Sequence, residues 1–254
     1  LRILRSTVYR LLFEKQISFV LATGKPGKDW FRTCGFPERK ILDWGYFLNP
    51  IPNIARPHSQ RPSPDEVQIV SIASQLYDKG FDILFFALSR LQHLSWHLTL
   101  IGDGPQREIN AALAQKLGIF SRVTFCGVLT NNSAREFLLL SDLFVLPTRY
   151  DGWGVVVNEA LLAGVPVICS NACGALSLIE NSNRGSVFAS ESISALCQSL
   201  EHWILQGPLP AKKRKDLINW SKAIQGPAIA KYFIQAINEM HENGYSTAVP
   251  PWKS

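Results

Sequence analysis

Along the chain, short runs of β-branched and other apolar residues alternate with segments whose apolar positions recur every three or four residues. The first pattern predicts strands, and the second predicts helices that pack on them by one face. The alternation opens with a helix over 6–16, a strand over 18–23, a helix over 27–34 and a strand-like run over 40–44. It breaks at NPIPNIARPHSQRPSPDE, where prolines at 50, 52, 57, 62 and 64 rule out regular helix or central strand and mark a linker. It then restarts with strands over 67–73, 97–102, 122–127, 143–147, 166–170 and 186–188. Helices are predicted over 80–91, 105–118, 133–141 and 155–164, and two or three more follow the last strand.

Short apolar strands separated by helices imply an α/β protein, a Rossmann-like parallel sheet with helices on both faces. Ligands of such sheets bind beyond the carboxyl ends of the strands, so the loops after Ala73, Leu100, Phe125 and Leu146 are the ones to read for chemistry.

Composition narrows the picture. The chain has 254 residues, 46% hydrophobic and 18% charged, which describes a folded protein with a sizeable core. No apolar run reaches the roughly 18 residues needed to span a bilayer, and no leader-like start is visible, so the expectation is a cytoplasmic protein. Five cysteines at irregular spacings read as reduced thiols; Cys169 and Cys173 lack the second pair or nearby histidine a metal site needs. The net charge of +6 is modest. Its densest run, AKKRKDLINW, reads first as a solvated helix face. The sharper reading is contact of the basic stretch 212–215 with anionic lipid headgroups. Nucleic-acid binding is not expected, because no wider surface interleaves basic and aromatic residues.

The loop after Leu146 carries the most chemistry. PTRYDGWG runs into a helix near Val155, and its glycines let the backbone approach a ligand. The free N–H groups of that helix start suit a phosphate. Glu159 lies little more than one turn in, where its neighbours three and four positions away are Val155, Val156, Leu162 and Ala163. A carboxylate there needs hydrogen-bond donors, either protein groups or the vicinal hydroxyls of a ribose. Asp151, at the loop's mouth, either accepts from further hydroxyls or serves only as a turn residue. Lys79, before Gly80 at a helix start, has the charge to neutralise a diphosphate, although lysines there are usually just solvated. The loop IGDGP lacks the third glycine of a dinucleotide fingerprint and reads as a turn with Pro105 at the first helical position.

From about Gln68 to Phe188 the chain resembles the donor-binding domain of retaining glycosyltransferase family 4, which has the two-domain GT-B fold. The KG pair with its helix, LIGDGP, RVTFCG, SDLFVLPT and DGWGVVVNEALLAGVPVI carry the resemblance in the expected order. It implies that Asp151 contacts the donor sugar and Glu159 the ribose. Lys79 and the backbone of Gly152, Trp153, Gly154, Val155 and Val156 would hold the diphosphate, and Gly127, Val128 and Leu129 would border the base. The chain departs from the family's commonest pattern in two places: Asp151 stands where glutamate is usual, and Ser74 and Gln75 replace a glycine–arginine pair, so Gln75 would be a neutral phosphate contact. The expected partners are a nucleotide-diphosphate sugar, by default a uridine one, and a glycan or lipid-linked acceptor. No bound metal or other cofactor is required.

The resemblance also divides the chain. Residues 1–50 look like the end of an acceptor domain, 51–66 a linker, 67–226 the donor domain and 227–254 a helix and tail that cross back. The start at Leu1, with Met240 as the sole methionine, reads as the carboxyl-terminal part of something longer. A nucleotide-sugar epimerase of similar fold and a non-catalytic nucleotide-sugar-binding fragment are the alternatives.

Overall fold

A computed structural model describes residues 7, 8, 10–12, 15–49 and 65–253. Of the helix expected over 6–16, residues 7, 8 and 10–12 are helical, residues 15 and 16 form a turn, and the rest lie outside the described residues. So does the proline-rich linker, apart from residues 65 and 66.

A first, small layer is a βαβ unit: β1 (Val20–Thr23), α1 (Gly24–Thr33) and β2 (Ile41–Trp44), with the two strands parallel. The main layer holds six parallel strands, β3 (Val67–Ile72), β4 (Trp96–Ile101), β5 (Val123–Gly127), β6 (Leu143–Leu146), β7 (Val167–Ser170) and β8 (Gly185–Phe188). They run in the order β5-β4-β3-β6-β7-β8. The order therefore reverses between β3 and β6, and the carboxyl ends of those two strands flank the crevice where a doubly wound sheet takes its ligand.

The helices between the strands are α2 (Phe81–Ser89), α3 (Arg107–Lys116), α4 (Asn131–Leu140) and α5 (Val155–Leu162). After β8 come α6 (Ile193–Gln206), α7 (Ala211–Trp220) and α8 (Gly226–Asn243). β6 and β7 are buried along their whole length, as expected of strands covered on both faces. One core, with Phe85, Leu88, Trp96 and Leu200, lies under α2 and α6; another, with Phe144, Val157, Leu161 and Leu178, lies under α4 and α5. Pro105 falls two residues before α3, so the expected helix start there is corrected: Gln106 is the N-cap.

The last helix ties the two layers together. Tyr232, Ala236 and Met240 of α8 pack with Leu42 of β2, and the Tyr232 hydroxyl donates to Asp43 O (3.1 Å). Asp43 Oδ1 and Oδ2 accept from Lys28 (3.2 Å) and Lys253 (2.7 Å). Burial raises the Asp43 pKa, but the two ammonium groups outweigh it and hold the carboxyl below its ordinary value.

Candidate functional site

The loops after β3 and β6 meet because Gly80 has no side chain. Gly80 is left-handed (φ 68°), and a Cβ on it would stand 2.2 Å from Pro147 O. That contact sets the 3-10 turn Tyr77–Lys79 directly against residues 147–151. The Lys79 ammonium then donates to Asp151 Oδ2 at 3.1 Å and lies 3.3 Å from Asp78. Burial works against the lysine's charge, yet Asp151 and then Asp78 outweigh it and keep its pKa above the ordinary lysine value.

Asp151 is held at its backbone as well. Its N–H donates to Ala172 O and its carbonyl accepts from Gly174 N, while Oδ1 accepts from Trp153 N (3.1 Å). Three residues later in the loop, Gly154 takes a left-handed conformation (φ 83°) as the N-cap of α5. A Cβ there would meet Cys173 Sγ at 2.9 Å and Leu146 at 3.0 Å. No side chain caps this helix start. Its first N–H groups, with the positive end of the helix dipole, therefore face the cleft unmet by a side-chain acceptor.

These residues line one cavity of about 390 Å³, walled also by Tyr46, Ala73 and Ser74. Lys79, Asp151, Gly152, Trp153, Gly154, Val155 and Val156 are thus brought together as the sequence suggested. Gln75, Gly127, Val128 and Leu129 are not among the lining residues. For Gln75 the reason is a buried polar network: its amide nitrogen donates to Gly102 O (3.1 Å) and its oxygen accepts from Asn110 Nδ2 (3.0 Å). Gln75 holds the β3 loop to the β4 loop, which corrects its assignment as a phosphate contact. Gly127 likewise accepts at its carbonyl from Gly102 N (2.7 Å), and Val128 projects outward, 77% exposed.

The Trp153 side chain has a structural role of its own. Its indole is 2% exposed, donates to Asn158 Oδ1 (2.8 Å) and packs edge-on to Phe47. Asn158 in turn donates to Tyr46 O (3.1 Å). The side chain therefore fastens residues 45–47 to α5 and is not available to a sugar.

Glu159 sits half-buried on α5, outside the cavity lining. Burial raises its pKa, and the guanidinium of Arg135 on α4 is the charge that opposes the rise. The Nε of Arg135 is itself buried without a hydrogen-bond acceptor.

Sequence reading missed Arg149. Its guanidinium forms a bidentate pair with Asp82 (2.8 and 2.8 Å), reaches Glu191 and stacks on the Tyr77 ring at 4.0 Å. Its backbone N–H donates to Asp78 O (2.7 Å). Arg149 clamps the turn that carries Lys79, and the signal was its place two residues before Asp151. Among the described residues no group of three or more His, Cys, Asp and Glu side chains is arranged to hold a metal ion. The five thiols are free. The thiol of Cys169 has its pKa pushed well up, first by its hydrogen bond with Cys173 and then by burial.

A six-stranded doubly wound sheet with a cation, an acid and a helix start at its switch point defines a Rossmann-like ligand-binding domain. Comparison with known proteins makes the assignment. Residues 55–223 match the family model described as glycosyl transferases group 1, and the chain belongs to that family. Over 214 residues it is 29% identical to the lipopolysaccharide glucosyltransferase WaaG of Escherichia coli, covering 81% of this chain and 55% of that protein. The structure of the lipopolysaccharide outer core galactosyltransferase WaaB superposes with a TM-score of 0.75 at 20% identity, covering 87% of this chain and 62% of that one. The structure of Anabaena HepE in complex with UDP and glucose gives 0.72 at 18% identity, over 93% and 67%. The matches span between 31% and 55% of the length of the curated relatives.

Proposed function

We propose that this chain is the donor-binding half of a retaining glycosyltransferase that takes its sugar from a nucleotide diphosphate, UDP by first choice, and passes it to a glycan or lipid-linked acceptor. The observation that carries the reading is Lys79 facing Asp151 across the start of α5 in one cavity at the switch point of the sheet. Departure of a nucleotide diphosphate builds negative charge on the leaving oxygen. An ammonium and oriented N–H groups stabilise that charge without reorganising during the reaction. Asp151 would then turn from Lys79 toward hydroxyls of the sugar. Glu159, whose charged form Arg135 favours, would accept from the ribose. HepE, whose structure was solved with UDP, lends the uridine choice support, as does the lipopolysaccharide glucosyltransferase WaaG for a glycan acceptor.

Location in the cytoplasm is part of the same reading. Among the described residues no helix is long and apolar enough to cross a membrane.

The test is calorimetric titration of UDP and GDP into the chain and into Glu159→Ala. Loss of the ribose bonds costs about 1.5–3 kcal/mol, roughly ten- to a hundredfold in affinity. UDP binding that the variant retains at full strength overturns the role of Glu159. No binding of either nucleotide by the folded chain overturns the donor-site reading.

A further inference from the structure

At the other end of the sheet, around the start of β8, lies a second cavity of about 520 Å³. It opens between residues 182–186, the end of α6 and one face of α7. Arg184 forms part of its wall, and the setting of that side chain is unusual. Its Nε donates to Leu178 O (2.9 Å), and its guanidinium lies over Trp220, 3.8 Å from the ring centroid. The group is therefore fixed from two sides. A guanidinium carries five N–H donors. Among the described residues only the Nε–H has an acceptor, and no carboxylate pairs with the group. Burial alone acts on its pKa and lowers it, with no acid opposing the shift. By contrast Arg32, Arg107 and Arg149 each hold an ion pair, with an acid at 3.1 Å or closer.

Lys213 of α7 lines the same cavity, exposed and free of any ion pair among the described residues. One acid, Asp216, also stands at the rim, so two cations face one anion. Lys213 belongs to the basic stretch that the donor site does not use. Within that stretch Arg214 plays a different part. Its guanidinium donates to Leu139 O (2.9 Å) and Ala163 O (2.8 Å), closing the carboxyl ends of α4 and α5. Lys212, Lys213 and Lys215 remain exposed or nearly so.

We propose that this cavity binds the phosphate group of a phosphomonoester or phosphodiester ligand, with Arg184 as its oriented bidentate donor and Lys213 as its second cation. A planar guanidinium with both Nη groups open fits two phosphate oxygens. A second cation matches the second charge a phosphomonoester carries near neutral pH. Trp220 backs the guanidinium, and Ser186 offers a hydroxyl whose oxygen already accepts from Trp203 Nε1 (2.9 Å). The ligand is either a soluble phosphate ester of hexose size or the headgroup of an anionic lipid; the phosphate chemistry is the same.

The test uses the whole chain and its variants. Lys213→Ala removes an exposed side chain with no structural bond, and Arg184→Lys keeps the charge but loses the fork. Glucose 6-phosphate is titrated with the Trp220 indole N–H signal as the readout, because that nitrogen is buried without an acceptor and its ring lines this cavity and not that of Lys79. Vesicles of phosphatidylglycerol, against phosphatidylcholine, are tested by co-sedimentation. A saturable shift of the Trp220 signal, weakened at least tenfold in both variants, supports a soluble ligand. Phosphatidylglycerol binding lost in Arg184→Lys and Lys213→Ala but kept in Lys212→Ala/Lys215→Ala supports a headgroup. Absence of both kinds of binding overturns the proposal. So does a Trp220 shift that neither variant weakens, or vesicle binding that depends only on Lys212 and Lys215.

Discussion

Replacing Lys79 by methionine tests the donor site at its centre. Among the described residues lining that cavity, Lys79 is the cation, and it stands 3.1 Å from Asp151 and 3.3 Å from Asp78. The two acids and the lysine sum to one negative charge, and the variant raises this to two. At an effective dielectric of about 20 each contact is worth roughly 5 kcal/mol of gross attraction. Most of that is offset by desolvation and screening, since the lysine, Asp151 and Asp78 side chains are 17%, 23% and 44% exposed. For a bound diphosphate the loss is larger than for the apo fold. A charge-assisted hydrogen bond worth about 1.5–3 kcal/mol disappears, so UDP affinity falls roughly ten- to a hundredfold. Asp151→Asn goes the other way. It frees the ammonium from its competitor, and UDP binds as well as or better than to the unmodified chain. Calorimetry at low and high salt reads both effects, and the Lys79→Met penalty shrinks as salt rises. If Lys79→Met binds UDP within about threefold of the unmodified chain, the ammonium does not meet the diphosphate and the reasoning fails.

Three further outcomes are expected. Glu159→Gln raises thermal stability at neutral pH, because burial makes the carboxylate costly in the folded state and lifts its pKa. The native penalty is absent below the unfolded pKa of about 4.3 and grows as pH rises through the folded value, so the variant's advantage must vanish on acidification; a gain that persists below about pH 4 contradicts burial as its cause. Arg214→Ala breaks bonds to three carbonyls, those of Leu139, Ser141 and Ala163, and costs about 2–3 kcal/mol. That lowers Tm by several degrees, while Lys212→Ala and Lys215→Ala stay within about 0.5 kcal/mol; equal effects from all three would make the stretch a plain solvated face. Gly45→Ala places a methyl 2.2 Å from the ring edge of Trp153, and overpacking against so fixed an indole costs about 1–3 kcal/mol by chemical denaturation. An unchanged denaturation midpoint would show that residues 45–47 yield freely.

The strands were legible because a parallel sheet buries both of its faces. VQIVSI, LFVL and VICS are apolar almost throughout, and each became a central strand within a residue or two of where the pattern put it. The end of the IGDGP loop was harder. Pro105 suits a first helical turn, but the segment 102–104 is drawn in against residues 73–75, where a Cβ on Gly102 would stand 2.1 Å from Ala73 O. That long-range contact delays the helix to Arg107. The pull leaves no local trace in the sequence.

The same distinction separates the two halves of the candidate site. What depends on chain neighbours could be read: a left-handed glycine opening α5, an acid three residues before it, a lysine before another glycine. What depends on distant partners could not. Gln75 stands where an arginine would face a phosphate, yet Asn110, 35 positions on, takes its side chain into the interior. The indole of Trp153, between two glycines of the loop, fills a slot that Gly45 and Phe47 leave from the far side of the linker. The resemblance alone put Gln75 at a phosphate, and both side chains serve the frame around the cavity. A frame of this kind has a consequence for the chemistry. Trp153 N fixes one oxygen of Asp151 and Lys79 holds the other, so a ligand that takes Lys79 leaves the aspartate anchored at Oδ1 with Oδ2 released. Under the proposed function, that released oxygen is the one that would accept from a sugar hydroxyl.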